Sequence, residues 1–135
     1  QNINFDVNMA TLKPESFPLL DEVAGILLQY PTLTLEIGGH TDNSGIKLKN
    51  LALSEARAKS VLGYLLQKFP ALDVSHFTSA GYGPMVPVAS NNTKLGKAKN
   101  RRVEFKVTNP EVLKIEREKR HFVQKDEPAP VEKKQ

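Results

Sequence analysis

Before residue 107 the apolar residues of this chain switch their spacing twice from a period of two to a helical period and back. That switching fixes the class of fold, because a period of two marks a half-buried strand and a period of about 3.6 marks one helix face. Ile3, Phe5 and Val7 alternate with Asn4, Asp6 and Asn8, which predicts a first strand. Lys13-Pro14-Glu15 then opens a helix, with proline tolerated in the first turn and Glu15 near the positive helix end. Leu19, Leu20, Val23, Ile26, Leu27 and Tyr30 carry it at helical spacing until Pro31 stops it. Leu33, Leu35 and Ile37 alternate with Thr32, Thr34 and Glu36 in a second strand that ends at Gly38-Gly39. Residues 40–49 are polar, contain Gly45 and read as a loop. A long helix over residues 50–69 follows, with the stripe Ala58, Val61, Leu62, Leu65 and Phe69 and with Asn50 or Ser54 as its cap. Residues 77–82 read as a third strand, which Gly81, Gly83, Pro84 and Pro87 then break up. Val103, Phe105 and Val107 alternate with Arg102, Glu104 and Lys106 in the last strand.

The order β-α-β-α-β-β predicts an α+β sandwich, a mixed four-stranded sheet with two main helices packed on one face. It assigns residues 1–107 to one domain and leaves 108–135 as a charged C-terminal extension. Asn109-Pro110-Glu111 starts a helix there, expected to reach about Gln124 along Val112, Ile115, Phe122 and Val123. From Asp126 onward Pro128 and Pro130 lie among charges, a composition that predicts disorder. The chain opens directly on strand-like sequence with no signal-peptide pattern, so it reads as a piece of something longer. It has no apolar run of the ~18 residues that would span a bilayer.

Charge and residue type narrow the chemistry. The chain lacks cysteine, which excludes disulfides, thiolate metal sites and cysteine nucleophiles. His40 and Asp42 have no further His at ligand spacing, and His76 and His121 stand alone, so no metal or other cofactor is expected. There is no Gly-x-Ser-x-Gly elbow and no base beside a nucleophile, so the chain is not read as an enzyme. The net charge is +4, and six of the 12 bases in residues 1–107 lie between Lys94 and Lys106. Such a patch calls for an anionic or zwitterionic partner.

Three clusters can carry that recognition: His40-Thr41-Asp42-Asn43, residues 50–57, and residues 96–103. Asn50 and Arg57 stand two helical turns apart and share a face away from most of the apolar stripe. Across a short loop, Asp42 and Arg57 can face one pocket and bind a zwitterion, the acid taking an ammonium and the guanidinium a carboxylate. From spacing alone the leading reading is that they form a salt bridge with each other.

Several motifs stand in order: Gly39-His-Thr-Asp-Asn-x-Gly45, Asn50-x-x-Leu-Ser-x-x-Arg-Ala58, Gly81-Tyr-Gly83, Pro87-x-Ala-Ser-Asn91, and Gly96-Lys-Ala-Lys-Asn-Arg-Arg-Val-Glu104. Together, over residues 3–107, they resemble the OmpA-like C-terminal domain, the family of the peptidoglycan-associated lipoproteins and of the periplasmic part of MotB-type stators. The resemblance implies non-covalent binding of the meso-diaminopimelate residue of an uncrosslinked peptidoglycan stem, in the periplasm. It further implies a parent protein tethered to the outer membrane and anchoring it to the wall. By the same resemblance Asp42 and Arg57 make the principal contacts, Thr41 and Asn50 line the pocket, and Asp6 faces the ligand. Arg101 sits at the rim, where it either touches ligand or braces the Asp42 loop. The rival reading is a polyanion or nucleic-acid binder working through residues 94–102. Aromatic residues for base stacking are few, at 7%, and the net charge is small, which weighs against nucleic acid.

Overall fold

The computed structural model describes residues 3–113. Helix α1 (Phe17–Gln29) leads into strand β1 (Leu35–His40), and helix α2 (Lys47–Lys68) leads into strand β2 (Phe77–Gly83). A short helix α3 (Lys94–Asn100) precedes strand β3 (Arg102–Val107). The sheet has three strands in the order β2-β1-β3. β1 lies in the centre, parallel to β2 with Leu35 opposite Phe77, and antiparallel to β3 with Leu35 opposite Val107. The parallel pair needs a crossover, and α2 supplies it. Leu20, Ala24 and Leu27 of α1 join Ala58, Val61 and Leu65 of α2 in one core with Leu35, Ile37, Phe77, Val103 and Phe105 of the sheet. Between the helices Phe17 stacks on Tyr64 at 4.7 Å, and the Tyr64 hydroxyl donates to Asp21 at 2.6 Å.

The fold is the expected α+β sandwich, with one correction: the sheet has three strands among the described residues, not four. Ile3 to Val7 form no strand, because their backbone groups are taken locally. The Asp6 N–H donates to the Thr11 carbonyl, the Lys13 N–H to Asn4 and the Met9 N–H to Asp6. Asn4 is also held from both sides by the Ser16 hydroxyl, which is fully buried. Asn8 turns this loop at a φ of 58°, and Val7 ends 81% exposed. The alternation of Ile3 and Phe5 serves packing against the core instead of a ladder.

Three boundaries also move. The second strand runs through Gly38 and Gly39 rather than stopping at them. A β-carbon at Gly39 would collide with the Ser54 carbonyl of α2, so this glycine lets helix and strand touch. The main helix begins at Lys47 with Ile46 in the cap position, so neither Asn50 nor Ser54 caps it. The basic segment over residues 94–102 contains α3, capped by the Thr93 hydroxyl accepting from the Gly96 N–H. Residues 111–113 are helical, and the remainder of the helix expected up to Gln124, with the segment after it, lies outside the described residues.

Candidate functional site

At the end of β1 the chain leaves the sheet through Thr41, whose N–H donates to the Gly83 carbonyl at 2.9 Å. Asp42 follows, 9% exposed, at the start of a turn that its own side chain closes by accepting from the Ser44 N–H at 2.8 Å. Its other oxygen accepts from Arg101 Nη1 at 2.7 Å. Ser44 is tied from two more sides, its carbonyl by the Asn50 amide at 2.7 Å and its hydroxyl by Lys97 Nζ at 2.8 Å. The loop that presents Asp42 is therefore fastened to both α2 and α3. Burial pushes the Asp42 carboxyl up, but the Ser44 N–H and the Arg101 guanidinium outweigh it and hold the group below the ordinary carboxylate range.

Arg57 comes from α2 and is half-buried. Its Nε donates to the Met9 carbonyl at 2.9 Å and its Nη2 to the Asp6 carbonyl at 3.4 Å. The guanidinium also lies over the Phe5 ring, 4.8 Å from the centroid. Burial, and then the charge of nearby Arg101, lowers its pKa below the guanidinium value. Its partners here are main-chain oxygens and a ring, so its charge is oriented without being neutralised.

Asp42 and Arg57 are not bonded to each other. They line one groove of about 1460 Å³, together with Thr41, Asn50 and Arg101. Asp6 is the exception: its carboxylate does not line the groove, and the residue contributes its main-chain carbonyl to Arg57. Arg101 adopts the bracing geometry, clasping Asp42 while its side chain stays 50% exposed. Sequence reasoning gave no place in this pocket to Phe5, Asn8, Ser44 or Asn100, and placed Lys97 only in the basic segment. Asn100 is fully buried and holds the segment before α3, its Oδ1 accepting from the Val88 and Ala89 N–H groups. The one available signal was the Thr93-x-x-Gly96 spacing, which starts α3, the helix that carries Lys97 and Asn100.

A further titratable group at the groove is His40, the last residue of β1. It is 6% exposed, stacks on Tyr82 at 5.2 Å, and its buried Nδ1 has no hydrogen-bond partner. Burial, helped by Arg102, pushes its pKa down against the opposing pull of Glu104 and Glu36. No group of three or more His, Asp or Glu able to hold a metal ion occurs among the described residues.

The profile of the OmpA family matches residues 4–101, a stretch that contains all six residues singled out from the sequence. The chain belongs to the OmpA family. It is 42% identical over 104 residues to the probable lipoprotein YiaD of Escherichia coli, covering 77% of this chain and 47% of that protein. It is likewise 42% identical over 105 residues to the peptidoglycan-binding protein ArfA of Mycobacterium tuberculosis, covering 78% of this chain and 32% of that one. The chain thus spans less than half the length of these two relatives. Among solved structures it is similar to the cell wall anchor of the T6SS from Pseudomonas aeruginosa. That match has a TM-score of 0.67 and 36% identity, covering 76% of this chain and 73% of the other. No helix among the described residues of this OmpA-family domain is long and apolar enough to cross a membrane.

Proposed function

We propose that this domain holds peptidoglycan without a covalent bond, by seating the meso-diaminopimelate residue of a stem peptide between Asp42 and Arg57. The observation that carries the reading is that these two side chains share one groove and are each held by something other than the other. Diaminopimelate offers an ammonium and a carboxylate on one carbon at the end of its side chain. The ammonium suits the ionised Asp42, and the carboxylate suits a guanidinium whose charge no acid has cancelled. Thr41 and Asn50 complete the wall of the seat, and Arg101 keeps the Asp42 loop in place. The task is one of binding and not of catalysis. The name of ArfA supports peptidoglycan as the ligand and that of the Pseudomonas protein a role as a wall anchor, and the probable lipoprotein YiaD supports a periplasmic domain whose parent ties an envelope component to the wall.

Lysine, which replaces diaminopimelate in other cell walls, lacks the second carboxylate. It would leave Arg57 unpaired at a cost of roughly 1–3 kcal/mol, so lysine-type walls should be held more weakly. The test is co-sedimentation with purified sacculi of both types. Asp42→Ala and Arg57→Ala are expected to abolish retention by diaminopimelate-type sacculi while circular dichroism shows the fold intact. Near-normal retention of both variants would sink the proposal.

A further inference from the structure

The charges around the groove do not balance for a bare zwitterion. One carboxylate, Asp42, lines the groove together with the guanidiniums of Arg57 and Arg101 and with Lys99, in the last turn of α3. The remaining groove-lining acids are Glu104, which is committed to Arg102 at 2.6 Å, and Glu22, which lies on α1. Lys99 has no carboxylate within salt-bridge distance among the described residues. Lys94 and Lys97 elsewhere on α3 and Lys47 and Lys49 in the first turn of α2 carry the same sign. Residues 41–49 and 84–102 together hold seven bases and a single acid, Asp42.

A seated zwitterion adds no net charge. Its ammonium answers Asp42 and its carboxylate answers Arg57, and the excess positive charge of Arg101 and Lys99 stays where it was. The ligand that completes this site carries at least one further carboxylate close to the zwitterion. Resting on the function proposed above, we infer that Lys99 receives a further carboxylate of the same stem, the one at the peptide's chain end rather than the α-carboxylate of its γ-linked glutamate. The groove then reads an anionic stem at two points. Capping that end, by amidation or by a cross-link, removes the second contact.

Titration calorimetry at low salt tests this with a synthetic L-Ala-γ-D-Glu-meso-diaminopimelyl-D-Ala peptide, its terminal carboxyl free or amidated. The wild-type domain is expected to bind the free acid about three- to fivefold more tightly than the amide, the scale of one exposed ion pair. Lys99→Gln should bind both peptides with the wild-type affinity for the amide. Lys59→Gln, which removes the same charge from α2 away from the groove, should behave as wild type. Equal weakening of both peptides by Lys99→Gln, no wild-type preference for the free acid, or an effect of Lys59→Gln matching that of Lys99→Gln would overturn the inference and leave the Asp42–Arg57 seat standing. Failure of the wild type to bind either peptide would overturn both.

Discussion

His40 lines the groove with its ring closed in and Nδ1 unpartnered, so protonation is costly while the fold is intact. The unfolded chain takes up that proton at the ordinary histidine value near 6.5. Stability from this residue is therefore complete above that value and declines as pH falls through the lowered folded one, because the unfolded state then binds more protons. The urea midpoint is expected to drop between about pH 7 and pH 5, and His40→Phe, which keeps a ring against Tyr82, should flatten that part of the profile. A wild-type midpoint constant over the interval would refute the claim. Asp42 works over a lower range. Its folded pKa is depressed, so the stability it adds is present above the unfolded value and is lost only as pH falls through the depressed one. At this scale the sequence pointed to Asp42 and Arg57 as two sides of a common pocket, and both line the groove. It could not show that Arg101 would take Asp42, or that main-chain carbonyls from a loop 48 residues away would take Arg57.

Elements were legible wherever one face of a segment is apolar over its whole length. Both long helices stand out for that reason, with Leu20, Ala24 and Leu27 buried on α1 and Ala58, Val61 and Leu65 on α2. The short elements were not, since a helix of 7 residues such as α3 has no room for a stripe and rests on its Thr93 cap. Glycines misled in a definite way: Gly39 and Gly81 look like breakers, yet both are points where α2 presses directly on the sheet. Gly39→Ala would force a β-carbon into the Ser54 carbonyl, and Gly81→Ala into the Glu55 backbone. Each is expected to cost about 2–3 kcal/mol in chemical denaturation, the scale of an overpacked core, and a loss under about 0.5 kcal/mol would contradict direct helix–sheet contact.

Across the whole molecule, the domain is closed at residues beyond the last strand. The Asn109 side chain accepts from the Thr34 N–H and donates to the Thr32 carbonyl, both at 2.9 Å, and Val112 and Leu113 pack against the core. A chain ended at Val107 is expected to melt roughly 5 °C below one ended at Leu113, and equal melting temperatures would show these contacts to be idle. The sequence by itself determined the alternation of strand and helix, the apolar stripes that build one core, and the polar motifs that mark the groove. All of these are written in local spacing, which each segment carries before it meets any other. Tertiary structure alone decided that residues 3–7 would fold back as a loop instead of joining the sheet, and that Arg101 would hold Asp42. It also decided that Arg57 would keep its charge unneutralised and that Lys99 would look into the same groove. Those outcomes depend on which distant groups satisfy a donor or a charge, and no spacing along the chain records that competition.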